Sequence, residues 1–166
     1  AIFNAWCDRT PMLNLGGAMQ VNPAMVLHGE QSIELTSGPI PVEATVTTAP
    51  TIKAVYDKGK GAVVVVATES VDDKGKVLFR GQSSIFVRGE GGFGGDRGPS
   101  GARNVPPDRK PDKSVSYKTL PQQALIYRLS GDMNPLHADP DFAKMGGFDV
   151  PILHGLCSFG LAGRAV

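Results

Sequence analysis

Hydrophobic and polar residues alternate in several stretches of the first half of the chain, between Met25 and Arg88. Two-residue alternation rich in Val, Ile, Thr and Phe is typical of β-strands with one face on a core and the other in water. Four segments carry the pattern: MVLHGEQSIEL, VEATVTTAPTIKAVY, GAVVVVATES and KVLFRGQSSIFVR. The last two flank VDDKGK, where Asp73, Lys74 and Gly75 are typical of a tight turn, so we expect a hairpin there.

The composition changes between Gly89 and Lys113. The sequence GEGGFGGDRGPSGARNVPPDRKPDK is dense in Gly, Pro and charge, which predicts a linker or long loop. An RGG-like nucleic-acid-binding segment is an alternative interpretation. The single aromatic residue and the mixed charges favour the connector.

The pattern becomes helical after Tyr117. In LPQQALIYRLS the apolar positions fit an amphipathic helix, Pro121 suits its first position, and Ser130-Gly131-Asp132 ends it. We expect a second helix to begin after Asp139 as N-cap and to stop at Gly146-Gly147.

The segment HGLCSFGLAGRAV predicts a third helix despite three glycines. Its narrow face consists of Gly155, Ser158, Ala162 and Gly163. Small residues let another backbone approach closely. We therefore expect this helix to lie against a sheet.

Composition and charge narrow the class of protein. With 166 residues, 41% hydrophobic and 20% charged, the chain suits one globular domain or two small ones sharing a core. A formal charge of +1 gives no strong field for nucleic acid or an anionic membrane. The longest apolar run, Ala62 to Ala67, is too short to cross a bilayer, and the N-terminus lacks signal-peptide features. We expect neither nucleic acid nor membrane as a partner.

The two cysteines, Cys7 and Cys157, form no metal-type spacing. A reduced intracellular compartment is the better interpretation. Cys157 is either a nucleophile or a packing thiol. Its apolar, small-residue surroundings favour packing.

The densest chemistry lies in YRLSGDMNPLHADPDFAKMGGF, residues 127–148, which PILHGLC follows closely. Asp132 and His137 are five residues apart on a loop. Asn134 and Asp139 each precede a proline, which holds them in extended or turn conformations. A carboxylate and an imidazole held together can bind one water. One takes its proton while the other delivers a proton elsewhere, and each step contributes about 10²–10⁴-fold. The order of their roles stays open.

Three neighbours could take part, and two of them admit two interpretations each. The backbone N–H of Gly155, at a helix start, can hold a carbonyl oxygen that becomes an enolate. Asn134 can hold either the water or the loop. His154 is either a second base or a packing histidine, and packing is favoured. Taken singly, most of these residues are ordinary turn formers, but the whole set favours a catalytic site.

The residues YRLSGDMNPLHADPDFAKMGGFDVPILHGLCSFG closely resemble the hydratase 2 motif of the MaoC-like (R)-specific enoyl-CoA hydratases. That family includes the hydratase 2 domains of peroxisomal multifunctional enzymes. The resemblance extends to VLHGEQSIEL, VYDKGKGAVVVV and RGEGGFGG. It therefore covers most of the chain from about Val26 onward.

The resemblance implies an α+β double hotdog fold, in which each half wraps an antiparallel sheet around a long helix. Residues 1–88 correspond to the N-terminal half, 89–113 to the linker, and 114–166 to the start of the catalytic half. Residues 1–24 show little helical pattern, and no strands follow Val166. We therefore expect the second hotdog to be truncated. Either the chain, which starts without Met, is a fragment, or another chain supplies the missing strands, or residues are omitted from the sequence.

The family resemblance also implies an activity: reversible hydration of trans-2-enoyl-CoA to (3R)-3-hydroxyacyl-CoA. Asp132 and His137 match the acid/base pair, Asn134 supports the site, and the Gly155 N–H holds the thioester oxygen. Further substrate-binding positions in the family match His28, Gly29, Lys58, Met133, Pro135 and Leu136. Without the resemblance, Lys58 would be a solvated hairpin charge and His28 a strand histidine satisfied by its neighbours.

The resemblance implies no metal or redox cofactor. Coenzyme A is part of the substrate and is not counted as a cofactor. The expected partners are an acyl-CoA thioester and a second copy of the chain in a homodimer. The expected location is intracellular, peroxisomal in a eukaryote and cytoplasmic in a bacterium. Two other functions stay open: a hotdog thioesterase, and an acyl-CoA-binding fragment without turnover.

Overall fold

The computed structural model describes Asn22, residues 25–100 and residues 105–166. The expectations about the N-terminal helix and Cys7 therefore lie outside the described residues. The described chain divides into two compact units, one ending at Gly98 and one beginning at Pro99. The first unit contains a sheet and the second contains helices, so the class is α+β, as predicted.

The first unit is a four-stranded antiparallel sheet. Its strands run in the spatial order β1-β4-β3-β2. They are β1 (Val26–Leu35), β2 (Val46–Asp57), β3 (Gly61–Asp72) and β4 (Val77–Arg88). The four predicted strands and the β3–β4 hairpin are confirmed.

One face of the two central strands carries the core of this unit. Val64 and Val66 of β3 pack with Ile85 and Val87 of β4, and each is 3% exposed or less. Val26 of β1 packs against the cluster. Burying each such side chain contributes about 1.5–3 kcal/mol. The sequence predicts these strands, and the structure shows which of their residues face the core.

The hairpin turn and a bulge set the register of the sheet. Asp72 Oδ1 accepts hydrogen bonds from the backbone N–H groups of Lys74 (3.0 Å) and Lys76 (2.8 Å). In β1, Gly29 is the extra residue of a bulge between His28 and Glu30. A β-carbon at Gly29 would lie 3.0 Å from the Ser84 carbonyl oxygen, so the close backbone approach favours glycine.

Between Val105 and Val166, the second unit contains three α-helices and one short 3₁₀ helix. They are α1 (Gln123–Arg128), the 3₁₀ helix (Pro135–His137), α2 (Pro140–Met145) and α3 (Gly155–Ala165). None of the helices among the described residues combines the length and apolar character needed to cross a membrane.

The start of α1 differs from the prediction. Pro121 is not the first helical residue, because Gln122 is the N-cap and the helix begins at Gln123. The Gln123 N–H donates to the Leu120 carbonyl oxygen at 3.0 Å, which closes a turn with Pro121 at its second position. Proline is favoured there for the same reason that it suits a helix start, its fixed φ.

The predicted limits of the other two helices are confirmed. Asp139 caps α2 by accepting hydrogen bonds from the N–H groups of Asp141 (2.9 Å) and Phe142 (3.3 Å). Gly147, with φ of 79°, ends it. Helix α3 begins at Gly155, and its small-residue face is exposed. The sheet expected against that face stays a prediction.

In residues 89–100 and 105–113, the segment predicted as a linker consists of bends, turns and irregular chain, without helix or strand. Its first part nevertheless belongs to the sheet unit, because the division falls after Gly98. Residues 89–98, here called the glycine-rich loop, are hydrogen-bonded to the β2–β3 turn. This part is therefore a packed loop and not a free connector.

Candidate active site

Three titratable side chains of the helical unit come together. One ligand atom each from Asp132, His137 and His154 lies within 4.8 Å of the other two. Asp132 and His137 are the pair proposed from the sequence, and the structure brings them together. His154 is the member that sequence reasoning assigned to packing.

The backbone places Asp132 at the start of a tight loop. Gly131, with φ of 118°, turns the chain after α1, a conformation that favours glycine. The Asp132 Oδ1 atom accepts the backbone N–H of Asn134 at 3.2 Å. Arg128 Nη2 donates to the Met133 carbonyl oxygen at 3.3 Å, which ties α1 to the loop. The Asp132 side chain is 23% exposed, so water reaches its carboxylate.

Asn134 fixes the loop. Its side-chain oxygen accepts the N–H of Leu136 at 3.0 Å and caps the 3₁₀ helix that ends at His137. Leu136 is 3% exposed and holds this helix in place. The side-chain oxygen of Asn134 therefore fixes the loop, which is one of the two roles considered for this residue. Met133 and Pro135 are exposed, whereas Leu136 offers no exposed side chain to a ligand.

His137 has a defined tautomer. Its Nδ1 atom lies 2.8 Å from the carbonyl oxygen of Ile152. Because a carbonyl only accepts, Nδ1 carries the proton, and in the neutral ring Nε2 presents a lone pair. His137 is therefore prepared to accept a proton or a hydrogen bond at Nε2.

His154 joins the other two residues. It is 1% exposed, its ring stacks on that of His137 with centroids 3.7 Å apart, and it contacts the ring of Tyr127 at 4.7 Å. Its Nε2 lies 3.3 Å from the Asp132 carbonyl oxygen, to which it donates. Its Nδ1 is buried without a hydrogen-bond partner among the described residues.

The protonation of His154 follows from its surroundings. Burial lowers the pKa of its imidazole below 6.5, and the positive charge of protonated His137 lowers it further, while Asp132 acts in the opposite direction. His154 is therefore neutral at neutral pH. Its 3.8 Å approach to Asp132 Oδ2 is then a polar contact and not an ion pair.

Gly155 is the first residue of α3 and directly follows His154, the N-cap. Its backbone N–H is one of the first four of the helix, which have no acceptor within the helix. A β-carbon at Gly155 would meet nothing within 4 Å. The space beside the Gly155 α-carbon is thus open.

The sequence did contain a signal for His154. Its position immediately before a helix-starting glycine ties its ring to the same helix N-terminus as the Gly155 N–H. The packing interpretation described its burial correctly. It missed that the packing partners are Asp132 and His137.

The remaining predicted positions, His28, Gly29 and Lys58, belong to the sheet unit. His28 is exposed on β1, and its Nε2 lies 3.1 Å from Gln31 Oε1. Lys58 is in the β2–β3 turn, with Nζ 5.7 Å from the centroid of the Tyr56 ring. Strands β1 and β2 form opposite edges of the sheet, separated by about 14 Å at three strand spacings. The structure does not bring His28 and Lys58 together.

The site residues would also suit a metal ion. A carboxylate with two imidazoles is a donor set that transition metals accept, and the bond from His137 Nδ1 to a backbone carbonyl is usual for metal-binding histidines. That no metal or redox cofactor takes part stays a prediction.

Cys157 is a packing thiol. Its side chain is buried in α3, 6% exposed, and burial raises its pKa, so it stays protonated at neutral pH. A protonated thiol is a weak nucleophile. The packing interpretation is confirmed.

Two family models match the chain. Residues 2–89, just over half of it, match the MFE-2 hydratase 2 N-terminal domain, and residues 103–166 match the MaoC like domain. The chain therefore belongs to the hydratase 2 family of MaoC-like proteins.

Individual relatives agree with this assignment. The chain is 49% identical over 151 residues to the probable enoyl-CoA hydratase 2 of Dictyostelium discoideum, covering 89% of this chain and 51% of that protein. It is 48% identical over 151 residues to the peroxisomal multifunctional enzyme type 2 of Drosophila melanogaster, covering 89% and 25%. It thus spans about half the length of the first of these curated relatives and a quarter of the second.

A solved structure shares the fold. A MaoC-like dehydratase from Phytophthora capsici superposes with a TM-score of 0.70 at 46% identity, covering 87% of this chain and 50% of that one.

Proposed function

We propose that this chain carries the substrate-binding half and the catalytic motif of an (R)-specific enoyl-CoA hydratase. The reaction is the reversible syn hydration of trans-2-enoyl-CoA to (3R)-3-hydroxyacyl-CoA in fatty-acid metabolism. The observation that carries the proposal is the convergence of the half-buried Asp132 carboxylate with the imidazole of His137, whose Nδ1 is held by the Ile152 carbonyl oxygen. Relatives named enoyl-CoA hydratase 2 support the substrate class.

In the proposed mechanism, Asp132 and His137 hold one water against C3 of the substrate. One of the two accepts a proton from the water as its oxygen bonds to C3. The other delivers a proton to C2 from the same face. The acceptor gains one proton and the donor loses one, so the enzyme keeps its number of protons, the pair exchanges one proton before the next turnover, and no electron is transferred.

The thioester oxygen gains negative charge while C3 is attacked. We assign the Gly155 N–H to this oxygen, because the positive end of the α3 dipole adds to the hydrogen bond there. Asn134 and His154 act as positioning residues, the first through the 3₁₀ helix and the second through its contacts with Asp132 and His137.

The coenzyme A portion is assigned to His28, Gly29 and Lys58 of the sheet unit. A lysine beside CoA phosphates is electrostatically favourable. The fold proposed for the complete protein is a double hotdog, of which this sequence covers the first half, the linker and the start of the second. A homodimer is part of the proposal, with a peroxisomal location in a eukaryote or a cytoplasmic one in a bacterium. The eukaryotic location is supported by relatives that are named peroxisomal.

The test follows the loss of the conjugated enoyl absorbance when the chain, and separately the complete protein, meets a medium-chain trans-2-enoyl-CoA. The expected product is the (3R)-hydroxyacyl-CoA. Release of free thiol would instead identify a thioesterase. Tight acyl-CoA binding without turnover in the complete protein would identify a binding module.

A further inference from the structure

The sheet unit contains a buried carboxylate that the proposed reaction does not use. Asp57, the last residue of β2, is 6% exposed. Its Oδ1 accepts the backbone N–H groups of Gly59 and Gly92, and its Oδ2 accepts that of Gly94, each at 2.8 Å. Gly59 belongs to the β2–β3 turn, and the other two belong to the glycine-rich loop. One side chain therefore joins two segments more than thirty residues apart in sequence.

Backbone hydrogen bonds reinforce this junction. The Asp57 N–H donates to the Asp96 carbonyl oxygen at 2.8 Å, and the Gly89 N–H donates to that of Lys60 at 3.0 Å. The loop is thus held at its beginning, middle and end. Its glycine content serves packing and not linker flexibility.

Two glycines of the loop fit against the turn without room for a side chain. A β-carbon at Gly91 would lie 2.5 Å from the Gly59 carbonyl oxygen. Gly98 has φ of 62°, and a β-carbon there would overlap the ring of Tyr56. These contacts fix the distance between the loop and the residues on either side of Asp57.

The carboxylate is ionised at neutral pH. The hydrogen bond from Gly92, followed by that from Gly59, holds the pKa of Asp57 below its ordinary value of 3.8. Successive backbone N–H groups of this kind form a concave site that suits an anion. Asp57 fills it, so an external phosphate does not compete for these N–H groups.

Lys58, which the proposed function assigns to the CoA portion, directly follows Asp57 in the chain. Its ammonium lies 5.7 Å from the Tyr56 ring, which in turn packs on Gly98 of the loop. The position of the lysine thus depends on both the turn and the loop. A lysine fixed in this way has fewer side-chain arrangements to lose when it meets a phosphate.

We infer that Asp57 is a positioning residue for the nucleotide end of coenzyme A: it fastens the glycine-rich loop across the β2–β3 turn and so fixes Lys58. This inference rests on the proposed function, which assigns Lys58 to the CoA portion. The inference adds that the contact between Lys58 and CoA depends on Asp57 and the glycine-rich loop.

The test compares Asp57→Asn with Asp72→Asn in the complete protein. Asp72 is a matched control, because its carboxylate also accepts two backbone N–H groups in a hairpin turn but touches no glycine-rich loop. Each variant is assayed with trans-2-enoyl-CoA and with the same enoyl-pantetheine thioester, which lacks the nucleotide phosphates.

We expect Asp57→Asn to raise KM for the CoA thioester about tenfold, the loss of one modest contact, with kcat changed less than about twofold. The pantetheine thioester should show no change, and Asp72→Asn should affect neither substrate. Equal losses on both thioesters, or equal effects of the two variants, would overturn the inference. In a double-mutant cycle with Lys58→Gln, Asp57→Asn should add little to the KM of the single lysine variant.

Two further measurements keep the outcomes distinct. Amide hydrogen exchange at Gly92 and Gly94 should accelerate in Asp57→Asn and not in Asp72→Asn.

If the wild-type protein hydrates no enoyl-CoA, calorimetric titration with CoA itself separates the two proposals. Tight CoA binding that Asp57→Asn weakens would retain the inference, and equal binding by both proteins would end it. If Asp57→Asn does not fold, Gly91→Ala displaces the same loop and takes its place.

Discussion

The imidazole of His154 stacks on that of His137 with ring centroids 3.7 Å apart and an interplanar angle of 27°. Its Nε2 atom meanwhile donates to the carbonyl oxygen of Asp132. One buried ring therefore connects the two residues to which the proposed acid/base chemistry is assigned. A buried acceptor without a partner, such as His154 Nδ1, costs about 1–3 kcal/mol and calls for an explanation. The contacts of His154 with Asp132 and His137 provide one.

The lowered pKa of His154 predicts a pH dependence of stability. Because its pKa in the folded protein lies below the unfolded value of 6.5, protonation favours the unfolded state. The stability that neutral His154 contributes is fully present above pH 6.5. It is lost as the pH falls from 6.5 through the pKa of His154 in the folded protein. Asp132 opposes this trend, while the charges of His137 and Arg128 strengthen it.

Urea unfolding of the wild type and of His154→Gln at pH 7.5, 6.5 and 5.5 measures this dependence. The free energy of unfolding of the wild type should fall more steeply toward pH 5.5 than that of the variant, whose amide does not titrate. Parallel curves would show that His154 is not the titrating group.

The acid/base assignment predicts a large loss of turnover without loss of the fold. Asp132→Asn keeps the loop hydrogen bond to the Asn134 N–H through its amide oxygen, and His137→Ala removes Nε2. Each should lower kcat by about 10²–10⁴-fold, while thermal unfolding midpoints stay near that of the wild type. Since the two groups act on one water, the double variant should lose far less than the product of the single losses. Near-wild-type turnover by either single variant would remove that residue from the mechanism.

Asn134 is predicted to act through its cap alone. Asn134→Ala should lower the free energy of unfolding by about 1 kcal/mol, the usual cost of losing an N-cap, and should lower kcat as His137 loses its fixed position. Asn134→Ser retains a side-chain acceptor for the Leu136 N–H and should restore both. If Ser restores stability but not kcat, the amide of Asn134 itself contacts water or substrate.

Local features were readable from the sequence, and contacts between distant segments were not. The valine-rich run in GAVVVVATES and the cap at Asp139 depend on neighbouring residues, so the pattern predicts the strand and the helix start. The junction at Asp57 joins residues 35 and 37 positions apart, and the glycine content of its partner loop is equally typical of a flexible linker. His154 meets Asp132 across 22 residues, and only the path of the chain after α2 determines that contact. The family resemblance did place Asp132 and His137 in one site, but it gave no role to Asp57 or His154.

Gly155 allows a direct test of the backbone N–H assigned to the thioester oxygen, because proline there removes that group alone. Proline is favoured at the first helical position, where its missing N–H has no acceptor within the helix. It also requires the preceding residue to be extended, and His154 has φ of −59° and ψ of 134°. Gly155→Ala is the matched control, because it keeps the N–H and its β-carbon meets nothing within 4 Å.

We expect Gly155→Pro to lower kcat by about 10²–10³-fold, as removal of one oxyanion donor does elsewhere, with an unfolding midpoint close to that of the wild type. Gly155→Ala should stay within about threefold of the wild-type kcat, well short of the loss of a donor. If both variants lose turnover equally, space at Gly155 and not its N–H is what the reaction needs. If neither loses turnover, another donor holds the oxygen.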